Sequence, residues 1–442
     1  MADLDWSDTA IYDEMYGYIP LTKTELELVN HNFFQRLNHI KQLGAAYRVF
    51  PGAQHTRFSH SLGVMYMMDR MINAPLLESE ILTPENKQKL RIAALLHDIG
   101  HYPLSHLTET VMTRNGGYTH EKLGEFVVNN TSIAKILEAN GIDPKEIGRI
   151  ITGESPEPLF NQLMSSELDA DRFDYLLRDS VHTGVAHGRF DVNRLIHTLA
   201  LDRREQLCVD KSGMHAAEGY TIGRYLMYTV VYTHKTINAF DLLIKRIYTD
   251  CIGLTLPSFD ELKKMITEEE PSFAGFDDTH VFKTINQKAL EDGFTAEICK
   301  MFMSRKVLSI AKEAQGMSEN GKGEKDYFIL NQYSSQDKIK TLAESSGVPP
   351  EWIFHHSPNT SLPHLRPLIE QLEGEGEERQ KEMSKALRIV DKNKVSRPLA
   401  LVDTSIVFYL KNMSLDTVRI YTKEEFKNKL EAALDHEVGE TR

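Results

Sequence analysis

The chain has 442 residues, 41% of them hydrophobic and 26% charged, and its formal net charge is −13. Such a composition supports a sizeable apolar core, and the acidic balance argues against a chain-wide basic surface for DNA or RNA. The three cysteines lie far apart in the sequence, so neither a disulfide framework nor a thiolate zinc site is expected. No apolar window is long enough to span a membrane, and the acidic N-terminus lacks the apolar segment of a signal peptide. The sequence therefore predicts a cytoplasmic protein with no membrane partner.

Up to about residue 255, apolar side chains recur mostly at helical spacing, which predicts an all-helical domain over 1–255. Ser59 is a candidate N-cap for a helix that runs to about Ile72. Gly100, followed by Pro103, is a natural stop for the next helix. Helical patterns are found at 21–50, 59–72, 86–99, 120–140, 162–181, 191–200 and 215–250.

The pattern changes after residue 255. Residues 256–266 and 294–314 have helical spacing, and the charged, glycine-broken stretch 370–382 is typical of a solvated loop or helix surface. The runs DYFILNQY, SKALRIVD, TSIVFYLK and TVRIYT are short and rich in β-branched and aromatic residues, which favours strands. The sequence therefore predicts a mainly α protein, with an all-helical core and a smaller α+β region at 256–442. Because that region carries no catalytic cluster of its own, we expect it to serve oligomerisation or regulation.

The stretch AALLHDIGHYPLSH, from Ala93 to His106, concentrates histidines at the end of one predicted helix. His97 and Asp98 can converge on one ion near the axis where the helix stops, and His101 follows one helical turn later. Imidazole and carboxylate donors suit Zn, Fe, Mn or Ni, and the absence of thiolates disfavours a zinc finger. Because two ligands are too few for a catalytic centre, further ligands are expected elsewhere in the chain.

Two other segments supply such candidates. HTRFSHS places Arg57 and His60 where a loop enters a helix. SSELDADRFDYLLRDS places an acidic series on a predicted helix: Asp169, Asp171, Asp174 and Asp179. Within it, Asp171, Tyr175 and Asp179 recur at helical spacing and share one face. Taken singly, these features read as a chance dipeptide, a surface ion pair and a solvated acidic face. Taken together, they predict one site, because charged groups turn inward only when they are paired or bound to metal.

The segments FQRLNHIKQLGAAYRVFPGAQHTRFSHSLGV, LLHDIGHYPLSH, HEKLG, LDADRFDYLLRDS and YTHK resemble, in order and spacing, the HD-domain phosphohydrolases. Within that family they are most similar to the dGTPase-like dNTP triphosphohydrolases, over roughly residues 10–250. The resemblance implies metal-dependent hydrolysis of a dNTP to a deoxynucleoside and inorganic triphosphate, in nucleotide-pool control or phage defence. It also implies assembly as a dimer or tetramer.

The resemblance further implies a divalent metal ion (Mn, Mg, Fe, Zn or Ni) held by His60, His97, Asp98 and Asp171. The catalytic residues it implies are His106, supported by Glu109 where the family has Asp, with His101 and His120 near the triphosphate. The cations that would contact phosphate are Arg57, Arg172, Arg224 and Lys235, with Arg172 standing where animal members have Lys. The residues expected around the deoxyribose and base are Gln42, Leu43, Tyr175, Asp179 and Tyr232. Of these, Tyr175 is expected to exclude a ribose 2′-hydroxyl.

One departure from the family concerns activation. Animal members bind a guanine nucleotide activator through an Asp and an Arg, and Asn30 and Asn38 occupy the aligned positions here. Activation by that route is therefore not expected, and an activator site of another design or constitutive activity are the alternatives. Two other functions stay open: an HD phosphohydrolase acting on a monophosphate, cyclic nucleotide or alarmone, and a nucleotide sensor without turnover. The intact candidate ligands argue against the sensor, and the acidic charge argues against nucleic acid as a partner.

Overall fold

The computed structural model describes residues 4–268, 271–319, 325–357, 359–361, 386–410 and 413–440. The predicted mainly α fold is confirmed, with 21 α-helices and ten strands in the described residues. None of the described helices combines the length and the apolar character needed to cross a membrane. The charged stretch 370–382 lies outside the described residues.

Most helices of the first half correspond to the helical patterns of the sequence, but α5 and α8 lie between those patterns and were not predicted. They are α1 (Lys23–Val29), α2 (Asn32–Gln35), α3 (Arg57–Ile72), α4 (Pro84–Leu96), α5 (His106–Arg114), α6 (His120–Asn130), α7 (Ser132–Ala139), α8 (Pro144–Ile151), α9 (Pro158–Met164), α10 (Ala170–Thr183), α11 (Val192–His197), α12 (Met214–Met227) and α13 (Lys235–Cys251). The run predicted at 215–250 is interrupted by a π-helical turn, Tyr228–Tyr232.

Helix α3 is the centre of the first half, because it packs against both α4 and α10. Its predicted apolar face is buried, from Leu62 through Met68 to Ile72. The helix begins earlier than expected, at Arg57, so Ser59 is not the N-cap. The Ser59 hydroxyl instead lies in the first turn, where it donates a hydrogen bond to the carbonyl of Thr56.

The ten strands form three small sheets. They are β1 (Trp6–Asp13), β2 (Gly17–Thr22), β3 (Leu199–Leu201), β4 (Leu207–Asp210), β5 (Ser309–Glu319), β6 (Phe354–His356), β7 (Asn359–Ser361), β8 (Arg388–Val390), β9 (Ser396–Pro398) and β10 (Met413–Thr422). Strands β1 and β2 make an antiparallel hairpin, β5, β6 and β7 all pair with β10, and the third sheet has the order β3-β4-β8-β9.

Four of these strands lie in the half for which only helices were expected. The hairpin β1–β2 gives little periodic signal, because much of β1 is exposed and the tyrosines Tyr12 and Tyr18 face solvent. Strands β3 and β4 are three and four residues long, and β4 is completed by a parallel partner from the C-terminal region, with Val209 opposite Ile389. Pairing across this sequence distance is not readable from local patterns.

The C-terminal region is α+β, as predicted, although three of its segments differ from expectation. DYFILNQY and the described part of TSIVFYLK contain helices where strands were expected, and SIAKEA belongs to the long strand β5 where a helix was expected. The described helices of this region are α14 (Phe259–Thr267), α15 (Pro271–Ala274), α16 (Asp278–Lys288), α17 (Phe294–Met303), α18 (Lys325–Asn331), α19 (Gln336–Ser346), α20 (Ile406–Leu410) and α21 (Lys427–Glu440).

Candidate active site

Three helices bring the four predicted metal ligands together. His60 lies in α3, His97 and Asp98 follow the last residue of α4, and Asp171 lies in the first turn of α10. His60 Nε2 is 3.0 Å from Asp171 Oδ1 and 3.7 Å from Asp98 Oδ2. His97 Nε2 is 3.2 Å from Asp98 Oδ1 and 3.9 Å from Asp171 Oδ1. Two imidazole nitrogens and two carboxylates therefore converge on one small volume.

The donor atoms of this cluster fit a divalent metal ion. Although carboxylate oxygens lie 3.0 and 3.2 Å away, the buried Nε2 atoms of His60 and His97 make no contact with hydrogen-bond geometry within the described part of the chain. Their Nδ1 atoms are engaged, at 2.8 Å from Asp174 Oδ2 and at 2.8 Å from the carbonyl of Ala94. When Nδ1 carries the proton, each Nε2 presents a lone pair toward the carboxylates, as in metal-ligating histidines. The ligand atoms of His60, His97 and Asp171 lie within 4.8 Å of one another.

Asp174 orients His60 from α10. Its buried carboxylate also accepts hydrogen bonds from the Tyr16 hydroxyl at 2.7 Å and from Arg178 Nε at 2.9 Å. Burial acts to raise the pKa of Asp174, but Arg178 and His60 outweigh it and hold that pKa well below its usual range. Gly63 makes the approach possible, because a Cβ at this position would lie 2.0 Å from Asp174 Oδ1.

The Asp98 carboxylate is held from its other side by two basic groups. Arg57 Nη1 donates a hydrogen bond to Oδ2 at 2.6 Å, and His101 Nε2 lies 3.0 Å from Oδ1. Burial would raise the pKa of Asp98, yet the charge of Arg57 lowers it well below its usual range. Burial and the same arginine lower the pKa of His101, so His101 is a neutral imidazole at pH 7.

A second histidine cluster lies beside the first. The rings of His101 and His120 stack at 4.0 Å, and the His106 ring meets both of them edge-on at 5.1 and 5.2 Å. Glu109 Oε2 lies 3.2 Å from His106 Nδ1 and 3.0 Å from His120 Nδ1. The longer side chain that stands for the family's Asp therefore reaches His106.

In this second cluster, the carboxylate of Glu109 and the imidazole of His120 stabilise each other's charged forms. Burial would raise the pKa of Glu109, but its hydrogen bonds with His106 and His120 hold that pKa far below its usual range. Burial would lower the pKa of His120, and the hydrogen bond with Glu109 raises it instead. The His106 side chain is 67% exposed, so its outer nitrogen is accessible to a bound molecule.

Both clusters open into one cavity of about 280 Å³. Eleven predicted site residues line it: Gln42, Arg57, His97, Asp98, His101, His106, His120, Asp171, Arg172, Tyr175 and Arg224. Of the other lining residues, Asp169 belongs to the acidic series noted in the sequence, whereas the sequence did not single out Glu121, Ile151, Met164, Ser165 and Tyr228. Tyr228 lies in the π-helical turn, one helical turn after Arg224, and this spacing is the signal that could have identified it.

The remaining predicted site residues do not line the cavity. His60 and Glu109 lie behind lining residues and contact them. Asp179 accepts hydrogen bonds from His55 Nε2 and from the Tyr232 hydroxyl, both at 2.7 Å, and the Tyr232 ring meets the Tyr175 ring edge-on at 6.1 Å. Asp179 and Tyr232 therefore support Tyr175 from behind.

Leu43 and Lys235 are also outside the cavity lining. Lys235 is the first residue of α13 and its side chain is exposed. Lys235 therefore lies outside this cavity, and its contact with phosphate stays a prediction. The contact of Leu43 with the sugar or base likewise stays a prediction.

Two predicted phosphate-binding cations are paired with carboxylates of the segment before α10. Arg172 contacts Asp169, and Arg224 contacts Glu167. Both guanidinium groups are held in place by these ion pairs at the cavity wall. Their positive charges are thus available to an anion only in competition with the two carboxylates.

Residues 57–177 match the protein-family model described as "HD domain". Residues 190–392 match the model described as "HD associated region". An uncharacterized protein of Methanocaldococcus jannaschii is 36% identical over 239 residues, which is 53% of this chain and 48% of that protein. The human deoxynucleoside triphosphate triphosphohydrolase SAMHD1 is 30% identical over 270 residues, which is 53% of this chain and 43% of that protein. This chain thus spans about half the length of the curated relatives it matches.

A crystal structure of a hypothetical protein from Aquifex aeolicus shares the fold over almost the whole chain. Its TM-score is 0.73 at 26% identity, and the match covers 96% of this chain and 99% of that one. The HD match contains all four residues that converge in the first cluster, and the associated region follows it in the chain. The chain therefore belongs to the HD-domain proteins, with an HD domain over residues 57–177 followed by an HD-associated region over residues 190–392.

Proposed function

We propose that this protein is a metal-dependent dNTP triphosphohydrolase, which converts a dNTP and water to a deoxynucleoside and inorganic triphosphate. One observation carries the proposal: a metal-ligand cluster, a carboxylate-supported histidine and three arginines face the same cavity. The triphosphohydrolase SAMHD1 among the relatives supports the same reaction class.

The chemistry requires a water oxygen to bond to the α-phosphorus while the bond from that phosphorus to O5′ breaks. When bound by His60, His97, Asp98 and Asp171, a divalent metal ion supplies a Lewis acid for a phosphoryl oxygen and lowers the pKa of a bound water. The arginines that line the cavity neutralise the four negative charges of the triphosphate.

In this proposal His106 gives its proton to the leaving O5′ oxygen as a general acid. Its exposed ring reaches into the cavity, and Glu109 orients it through Nδ1, so that Nε2 faces the substrate. The Glu109 carboxylate also stabilises the imidazolium form from which the proton is given. The proton lost by the attacking water passes to solvent, which balances the reaction.

Arg57, Arg172 and Arg224 are the proposed phosphate ligands. Guanidinium groups match phosphate oxygens in bidentate geometry and keep their charge at any physiological pH. The triphosphate displaces Asp169 and Glu167 from two of these arginines, so part of the binding energy is used to break existing ion pairs. Tyr175 lies against the sugar and leaves no room for a 2′-hydroxyl.

We further propose that the active form is a homo-oligomer, a dimer or tetramer. The charged activator residues of the animal relatives are replaced by Asn30 and Asn38, and Asn38 donates a hydrogen bond to Gln35 at 3.1 Å. We therefore expect turnover of a single dNTP without a guanine nucleotide.

The test is a product analysis with each dNTP and rNTP, singly and in mixtures, with Mn²⁺ or Mg²⁺. Deoxynucleoside and inorganic triphosphate from a single dNTP would support the proposal. Turnover confined to mixtures would indicate an activator site of another design. Release of orthophosphate from monophosphates, or ring opening of cyclic nucleotides, with no triphosphate from any dNTP, would contradict the proposal. Either result would instead identify an HD phosphohydrolase that acts on another nucleotide. Metal and nucleotide binding without any product would identify a sensor.

A further inference from the structure

The turn that leads into α5 has a rare backbone conformation. Leu104 and Ser105 are consecutive non-glycine residues with φ of 59° and 58°. Residues with a Cβ seldom adopt this left-handed region, and they keep it only where the surrounding structure imposes it. The next residue is His106, the first residue of α5. The conformation of this turn therefore determines where α5 begins and where its first residue, the proposed general acid His106, is placed.

Asp278, from the C-terminal half of the chain, holds this turn. Its Oδ1 accepts a hydrogen bond from the backbone N–H of Leu104 at 2.7 Å, and its Oδ2 accepts one from the backbone N–H of Lys41 at 3.0 Å. Asp278 is the first residue of α16 and is 3% exposed. An ionised carboxylate only accepts hydrogen bonds, so it suits two converging backbone donors.

Arg36 adds a second connection between the same two parts of the chain. Its Nη2 donates to the carbonyl of His101 at 2.6 Å, and its Nε donates to the carbonyl of Phe276 at 2.7 Å. The guanidinium is buried, so these bonds are protected from water. The backbone from His101 to Ser105 is thus attached at two points to the segment that begins α16.

The turn also connects to the metal-ligand cluster. The Ser105 hydroxyl accepts a hydrogen bond from Arg57 Nε at 2.8 Å, and the same arginine donates from Nη1 to Asp98 at 2.6 Å. A rotation of the Leu104–Ser105 backbone would therefore move His106 and release Arg57 on that side. Both groups belong to the machinery proposed above.

We infer that Asp278 is a positioning residue of the active site, acting through the turn Leu104–Ser105 to place His106 and Arg57. Its kinetic consequence rests on the proposed function, whereas its structural consequence does not. The inference gives the C-terminal region a part in the chemistry, since the sequence had suggested only oligomerisation or regulation for it.

Two variants, Asp278→Asn and Asp278→Ala, test this inference. Asparagine keeps the size and one acceptor but turns an N–H₂ group toward the second backbone donor, and alanine removes both acceptors. The matched control is Ser258→Ala, which removes the N-cap of α14 in the same region, where the serine hydroxyl accepts from the Glu261 N–H. That change lowers stability without contact with the turn.

We expect kcat for a dNTP to fall about 10- to 100-fold in Asp278→Ala, because small displacements of a reacting group have effects of this size. KM should rise by less than kcat falls, because Arg57 loses its contact with Ser105 but keeps its ion pair with Asp98, and the bound metal should be unchanged. Amide hydrogen exchange in the peptide 102–107 should accelerate, because the Leu104 N–H loses its acceptor. Asp278→Asn should lie between alanine and wild type, and Ser258→Ala should match wild type in kcat and in this peptide.

Three results would overturn the inference: unchanged exchange in 102–107, faster exchange with unchanged kcat, or an equal fall of kcat in Ser258→Ala. If wild type hydrolyses no dNTP, the proposed function fails, and the inference is then decided by two other measurements. These are the exchange rates and the Mn²⁺-dependent hydrolysis of bis(p-nitrophenyl) phosphate. Faster exchange together with slower hydrolysis of this diester in Asp278→Ala would still support it.

Discussion

Asp174 Oδ2 lies 2.8 Å from His60 Nδ1 and forms a hydrogen bond with it. Asp174 lies on α10, the helix that also carries the candidate ligand Asp171. One helix therefore supplies both a ligand and the group that orients a second ligand on α3. The arrangement fixes the His60 tautomer, so that Nε2 is the atom presented to a metal ion. It depends on Gly63, whose missing side chain leaves the space that the Asp174 carboxylate occupies.

Asp174→Asn should weaken metal binding by about 10- to 100-fold, the range found when the hydrogen-bond partner of a ligating histidine is changed. The amide keeps the size but loses the charge that favours the donating tautomer. Metal content after dialysis, measured by mass spectrometry at several free metal concentrations, gives the affinity. Asp191→Asn is the control, because Asp191 caps α11 and Asn serves that role equally well. Wild-type affinity in Asp174→Asn would contradict the assignment of His60 as a ligand.

Tyr175 should determine the selectivity for deoxyribose. Tyr175→Ala removes the ring from the cavity wall, so ribonucleotides should become substrates and the ratio of kcat/KM for a dNTP over the matching rNTP should fall toward one. Tyr175→Phe keeps the ring and should keep the selectivity, which makes it the matched control. Unchanged discrimination in the alanine variant would reject a steric role for this residue.

The pair Glu109–His120 should make the stability of the folded protein depend on pH, in a direction that follows from the two pKa shifts. The pKa of His120 is raised in the folded chain, so its contribution to stability is complete below the unfolded value of about 6.5 and is lost as pH rises through the raised pKa. The pKa of Glu109 is lowered, so its contribution is present above about 4.5 and is lost as pH falls.

Glu109→Gln removes the carboxylate that raises the pKa of His120. The pKa of His120, measured by NMR titration, should fall, and the alkaline limb of the kcat profile should move to lower pH. Glu125→Gln is the control, since Glu125 pairs with Lys122 outside the cluster. A His120 titration that is the same in Glu109→Gln and wild type would show that Glu109 does not hold the proton on this histidine.

Gly100 should be intolerant of a side chain. A Cβ at this position would lie 2.2 Å from the backbone N of Gly124 and 2.2 Å from the carbonyl of His120 in α6. Gly100→Ala should lower the free energy of unfolding by about 1–3 kcal/mol through overpacking. Gly219, within α12, has no atom within 4 Å of its ideal Cβ, so Gly219→Ala should raise that free energy by about 0.5–1 kcal/mol. Chemical denaturation measures both, and a neutral Gly100→Ala would contradict the close approach of α6.

The family resemblance named four residues that the fold brings together from α3, α10 and the end of α4, and their role as metal ligands stays a prediction. Asp171 and Tyr175 share a face of α10 as their spacing indicated, and both line the cavity. Gly100 was expected as a helix stop, and its actual constraint is the contact with α6, a tertiary feature that no local pattern reports. Asp174 was visible only as part of an acidic series, and its role depends on the space left by Gly63.

The errors in secondary structure concern short apolar runs. DYFILNQY and TSIVFYLK are equally compatible with a strand and a buried helix, and packing decides between them. SIAKEA is a strand because β10 offers it a partner about a hundred residues away. Local patterns likewise could not identify Asp278, because nothing near it in the sequence indicates that its carboxylate reaches the Leu104 N–H.

The most direct test of the proposed chemistry is hydrolysis of a single dNTP in H₂¹⁸O by the metal-loaded enzyme, with products analysed by mass spectrometry. Attack at the α-phosphorus predicts one ¹⁸O atom in each inorganic triphosphate and none in the deoxynucleoside. Asp98→Ala, which removes a proposed ligand, should give neither product. Label in orthophosphate or pyrophosphate, or full activity of Asp98→Ala, would contradict a metal-dependent triphosphohydrolase built on this cavity.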